Sequence, residues 1–166
     1  MCILLVEKIL ATNIRQLLEI RLHPHVPLAR QVDVMFDQFT DSARQSMQVA
    51  NREANHNGHQ YIGNLHIFIA ILDTDPAILD MPGIDLIQLR NTANEIVSTT
   101  PSSGIKQTFE HALALNKKYK TDAVDTPHLL LGMLTEPDES VRLLLDRANL
   151  DIEQLRMHLL QQLKNR

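Results

Sequence analysis

The sequence predicts an all-α protein built from two copies of one small helical bundle, and three observations carry that reading. The first is the stretch Gly63-Asn64-Leu65-His66-Ile67-Phe68-Ile69-Ala70-Ile71-Leu72, which reads as a loop, a cap, a histidine and then an apolar helix. The second is its echo 62 positions later, Asp125-Thr126-Pro127-His128-Leu129-Leu130-Leu131-Gly132-Met133-Leu134. A helix that is apolar all round has to be buried, so each copy supplies the central helix of a bundle. The third is composition. Gly (5) and Pro (7) are few among 166 residues, and β-branched runs are short.

The elements follow in order. Residues 1–34 form a lead segment in which Ile3, Leu10, Ile14, Leu17, Leu18 and Leu22 recur at roughly helical spacing. His23-Pro24-His25-Val26-Pro27 breaks that pattern, since each proline restricts itself and the residue before it. The extra N-terminal helix so predicted has no counterpart in the repeat. Docking on the bundle, binding elsewhere, disorder and a natural start at Met35 are all open to it.

Repeat one, residues 39–98, opens with Phe39 and with Thr40 as N-cap of a helix to about His56. Its inner face is Ala43, Met47, Ala50 and Ala54. The central helix follows with Asn64 as its expected cap and ends at Asp73-Thr74-Asp75-Pro76. A short turn covers Ala77 to Asp80, Met81-Pro82-Gly83 breaks the chain, and Asp85 caps a helix with Leu86, Leu89, Ala93, Ile96 and Val97 on one face. The linker between repeats is read as Ser98 to Gly104.

Repeat two, residues 101–166, has the same order. Ile105, Phe109, Ala112 and Asn116 take the places of Ala43, Met47, Ala50 and Ala54. Thr126 is the expected N-cap, with Pro127 at the first helical position. Val141, Leu144, Leu145 and Ala148 mark a third helix. Asp151 caps a fourth, with Ile152, Leu155, Leu159 and Leu163 inward, at an offset of 66 from its partner in repeat one. The offset grows because the third helix is longer in repeat two. Identity between the copies is low, but Gly83–Arg90 and Asn149–Arg156 share four residues in eight.

Those residues resemble a known family. Met35-Phe36-Asp37-Gln38-Phe39-Thr40-Asp41-Ser42-Ala43-Arg44, followed by Gly58-His59-Gln60-Tyr61-Ile62-Gly63-Asn64-Leu65-His66-Ile67, is similar to the start of the Clp ATPase N-terminal domain, the ClpC and ClpA type. Val124 through Leu134 fits the same pattern a second time, so the resemblance covers Met35 to Arg166. It implies two four-helix repeats related by a pseudo-twofold axis. It also implies a job, the recruitment of adaptors or substrate proteins to an ATP-driven unfoldase and its protease.

Two departures bear on function. No Gly-x-x-x-x-Gly-Lys-Ser/Thr sequence occurs, so no ATPase activity is expected of these residues. The family's Glu before the motif histidine, which the resemblance assigns to phosphoarginine recognition, is Leu65 in one repeat and Pro127 in the other. Neither side chain pairs with a guanidinium as a carboxylate does, so no phosphoarginine binding is expected there. Phe39, Thr40, Leu65 and Pro127 are the candidate partner-binding positions, forming a more apolar surface than in relatives and one suited to peptide segments. The alternative is that Leu65 and Pro127 are simply good first-turn residues.

Other chemistry is sparse. His66 and His128 are expected to be structural, as hydrogen-bonded core histidines. His56, His59 and His66 imitate part of a metal set, but no Cys or carboxylate completes a recognisable spacing. Asp73 and Asp75 end a helix rather than open a calcium loop. No nucleophile elbow is present. Lys117-Lys118-Tyr119-Lys120 suits a helix C-terminus. The net charge of −4 carries no footprint for nucleic acid, and the single Cys2 rules out an internal disulfide and suits a reducing compartment. The apolar run Cys2 to Val6 is too short for a membrane span. The reading is therefore a non-enzymatic cytoplasmic module, monomeric by itself, without cofactor or metal. Its partners are Clp-type unfoldase or protease subunits, adaptors or unfolded substrates. An alternative role is to bind and stabilise the Clp assembly.

Overall fold

The computed structural model describes residues 37–100 and 105–165. The predicted lead helix, and most of the predicted linker, lie outside them. The described residues form seven α-helices and one 3-10 turn. These are α1 (Asp41–His56), α2 (Asn64–Thr74), the turn Pro76–Leu79, α3 (Leu86–Thr99), α4 (Ile105–Tyr119), α5 (Thr126–Thr135), α6 (Glu139–Arg147) and α7 (Ile152–Lys164). The four elements of repeat one match the four of repeat two in order. The third is a single 3-10 turn in one and a nine-residue helix in the other. That difference produces the shift in offset.

α2 and α5 are the central helices. Every residue from Asn64 to Leu72, and from Thr126 to Leu134, is buried. α1 packs on α2 and α4 on α5, while α3 and α7 cover the other side of the same two helices. Cross-repeat contacts run between α3 and α6, α1 and α5, and α2 and α6. A single core results, from Phe39 through Leu163.

The helix ends are where the sequence reading needed correction. Thr40 caps α1 as expected, accepting from the Ala43 N–H at 3.2 Å. Asp85 and Asp151 cap α3 and α7. But Gly63, not Asn64, is the N-cap of α2, and Asp125, not Thr126, is the N-cap of α5. Pro127 thus sits one place later than predicted. α3 also runs on to Thr99, into the predicted linker. Ser98 and Thr99 hydroxyls donate to the Glu95 carbonyl and occupy an acceptor at the helix end.

Because Asn64 and Thr126 are inside their helices, their side chains are released for a different task. Asn64 Nδ2 donates to Asp138 Oδ2 at 3.1 Å, and the Thr126 hydroxyl donates to Asp75 Oδ2 at 2.8 Å. Each bond ties the start of one central helix to the chain just past the end of the other, so the two are pseudo-twofold mates. Thr108 adds a bond to Asn64 Oδ1 at 2.8 Å. Asn64 and Thr126 are both almost fully buried. Buried polar groups that find partners hold a particular geometry, since any slip leaves them unpaired at a cost of about 1–3 kcal/mol each.

Candidate functional site

The repeated start of each central helix is built around its histidine. In repeat two the Asp125 N–H donates to His128 Nδ1 at 3.0 Å. The neutral ring therefore carries its proton on Nε2, which donates to the Thr121 hydroxyl at 2.9 Å. That hydroxyl donates onward to Asn116 Oδ1 at 2.5 Å. In repeat one the Gly63 N–H donates to His66 Nδ1 at 2.8 Å, so His66 also carries its proton on Nε2. Its acceptor is His59 Nδ1 at 2.9 Å. His59 and Thr121 are the same position, seven residues before the histidine. This partner, legible as a repeated spacing, was missed in the sequence.

Both rings are held neutral. Burial, and then the neighbouring His59, lower the His66 pKa to about 4. Burial also lowers that of His128, but Asp125 opposes the shift. Both histidines are buried and hydrogen-bonded. The tautomer places a proton on the one His66 nitrogen that faces His59, which makes it a donor rather than a metal ligand. Among the described residues no group of three or more His, Cys, Asp or Glu side chains is placed to hold a metal ion.

The four candidate partner-binding residues do not form one surface. Phe39 is buried, with its ring edge-on to Phe109 at 5.8 Å. Its backbone bridges Val124, with the Val124 N–H donating to the Gln38 carbonyl at 2.7 Å. Leu65 and Pro127 are buried in the first turns of α2 and α5. The expectation of an apolar exposed patch at Phe39, Leu65 and Pro127 is therefore corrected. The first turn of each central helix is enclosed on all sides, so whatever replaces an acidic residue there enlarges the core. Only Thr40 keeps partial exposure. Its hydroxyl donates to Asp125 Oδ1 at 2.6 Å, joining the cap of α1 to the cap of α5.

Two clefts open beside the histidines. One, of about 430 Å³, is lined by His59, Gln60, Tyr61, His66, Val97 and Thr100. The other, of about 550 Å³, is lined by Thr40, Lys120, Thr121, Asp125, His128 and Lys164. They are pseudo-twofold mates, since Gly58, His59 and His66 in one correspond to Lys120, Thr121 and His128 in the other. Tyr61, one of three large apolar side chains left exposed among the described residues, stands in the first. The second mixes lysines with carboxylates. Clefts of this size take a side chain or a short peptide segment.

Comparison with known proteins bears on the fold. Residues 38–108 and 101–166 each match the Clp repeat (R) N-terminal domain. The chain belongs to this family. The two Clp repeats are similar in sequence to a probable ATP-dependent Clp protease ATP-binding subunit of Chlamydia pneumoniae, 27% identical over 144 residues. The match takes in 78% of this chain and 17% of that one. They are also similar to chaperone protein ClpC1, chloroplastic, of Arabidopsis thaliana, 25% identical over 140 residues, covering 75% of this chain and 15% of that one. The chain thus spans about a sixth of the length of the relatives it matches. Among solved structures, the N-terminal domain of ClpD from Arabidopsis thaliana matches with a TM-score of 0.65 at 20% identity, over 78% of this chain and 96% of that one. The Hsp104 N-terminal domain from Candida albicans matches with a TM-score of 0.63 at 18% identity, over 74% of this chain and 89% of that one. These structures share the Clp repeat fold. Among the described residues no helix is long and apolar enough to cross a membrane.

Proposed function

We propose that this Clp repeat domain is a non-catalytic protein-docking module, which captures adaptor or substrate segments for a Clp-type unfoldase and its protease in the cytoplasm. The working module is residues 35–166, with repeats at 39–98 and 101–166. The observation that carries the reading is the pair of pseudo-twofold clefts in a Clp repeat fold, one bearing exposed Tyr61 and the other Thr40 with flanking lysines. An aromatic beside histidines suits an apolar side chain, and the mixed charges of the second cleft suit a polar one. Two different clefts at a fixed separation favour a segment long enough to fill both.

The test is affinity purification of the full chain from its own cells, with Tyr61→Ala and Thr40→Ala/Lys120→Ala as controls. Enrichment of adaptors or unfolded clients that falls in both controls supports recruitment. Capture of unfoldase or protease subunits alone, unchanged by either control, supports an assembly role instead. Titration of the same chain with phosphoarginine checks a finer point. No saturable binding is expected at Leu65 or Pro127, because both positions are apolar and covered.

A further inference from the structure

A third cleft belongs to neither histidine. It has a volume of about 740 Å³ and lies where the turn after the 3-10 element of repeat one meets the turn after α6 of repeat two. Met81, Ile84, Ala148 and Leu150 form its half-buried apolar floor. Gly83 and Asn149 turn the chain at its two lips, both with positive φ. Asp146 and Asp151 stand exposed along the rim. Two large apolar side chains exposed among the described residues stand close to its lining in sequence: Ile87, three residues after Ile84, and Met157, three residues along α7 from Gln154.

We propose that this cleft is the seat of the chain's own lead segment. Residues 1–36 lie outside the described residues, and their sequence carries the complement. Ile3, Leu10, Ile14, Leu17 and Leu18 fall on one side at helical spacing, with Lys8 and Arg15 bordering them. The segment holds four Lys or Arg against three Asp or Glu, in a chain whose net charge is −4, so the rest of the molecule is acidic. Its basic border meets the Asp146 and Asp151 rim, and its apolar side meets Met81, Ile84 and Leu150. Reach sets no limit. Residues 23–36 span up to about 46 Å when extended, more than the roughly 36 Å width of a domain of this size. Seating the segment covers Ile87 and Met157 and leaves the two histidine clefts open.

The sole cysteine, Cys2, makes the test direct. A nitroxide is attached to Cys2 of the full, isotope-labelled chain, and amide signal loss is read residue by residue. The expected result is loss of signal at Ile84, Ile87, Leu150 and Asp151, restored by Ile14→Asp/Leu18→Asp. That variant alters only the lead segment, so unchanged amide positions elsewhere show that the bundle is intact. Loss at other faces, no loss, or loss that survives the double variant overturns the proposal. So does loss seen only when spin-labelled, isotope-silent chains are mixed with isotope-labelled ones, which marks a second copy as the occupant.

Discussion

Repeat one and repeat two solve the same packing problem with different residues, and the differences show which positions the fold leaves negotiable. Both start their central helix with a histidine that accepts a backbone N–H at Nδ1 and donates a hydrogen bond from Nε2 to a partner seven residues back. The partner is a second imidazole in one and a hydroxyl in the other. Both end their first helix with a left-handed residue, Gly58 in one (φ 70°) and Lys120 in the other (φ 54°). Both place an arginine against the end of the central helix. Arg90 forks onto Asp73 at 2.7 and 2.9 Å, while Arg156 donates to the Leu134 carbonyl. The geometry is held in common. The atom that satisfies it is not.

The sharpest asymmetry lies at one small residue. Ala70 in α2 corresponds to Gly132 in α5. A Cβ at Gly132 would come within 2.3 Å of the Thr108 carbonyl oxygen, which belongs to the backbone of α4 and cannot swing aside. Gly132→Ala is therefore expected to cost about 3 kcal/mol and to lower the Tm by on the order of 10 °C. The mirror change, Ala70→Gly, removes only a methyl group from a buried helix and should cost about 1 kcal/mol. Thermal unfolding of the two variants compares them. Equal losses would show that α4 and α1 approach their central helices equally closely.

The histidines predict a pH dependence in both repeats, with the His66 shift deepened by His59 and the His128 shift opposed by Asp125. His66 is held at a pKa of about 4, below its ordinary value of 6.5, so the unfolded chain binds a proton in that window and the folded chain does not. Stability contributed by neutral His66 is complete above pH 6.5 and is lost as the pH falls toward 4, by up to ~3 kcal/mol. His59→Thr, which copies repeat two, removes the second cause of the shift. The His66 pKa should then rise, while burial keeps it below the ordinary value. Titration of the ring protons by NMR measures it. A His66 pKa that does not move would show that burial alone sets it.

The smallest effect tests the left-handed turns. Lys120 adopts a conformation that glycine takes without strain, so Lys120→Gly should stabilise the chain by about 0.5 kcal/mol, after allowing for the freer unfolded state. Gly58→Ala should destabilise it by about 1 kcal/mol, although there is open space around that position. Denaturant midpoints decide the signs.

Much of this was legible in the sequence, for reasons that are local. An apolar run such as Ile67 to Leu72 declares its own burial, and Thr40, Asp85 and Asp151 announce helix starts because a cap bonds to the backbone two or three residues away. The spacing of His59 from His66 and of Thr121 from His128 was equally local, and its repetition was the signal for these hydrogen bonds. The candidate site was less legible. Leu65 and Pro127 were read as surface because the family resemblance places those motif positions near its binding surfaces. Here the first turn lies between two repeats.

The sequence by itself determined the elements, their order, their twofold repetition and the family they belong to, since each rests on contacts within a few residues or on a periodic pattern. Only the tertiary structure decided what those elements enclose. Burial of Leu65 and Pro127, the bonds from Asn64 to Asp138 and from Thr126 to Asp75, and the glycine forced at 132 all join segments 20 to 75 residues apart. No periodicity encodes such pairings. They follow from how two bundles are pressed together about an axis.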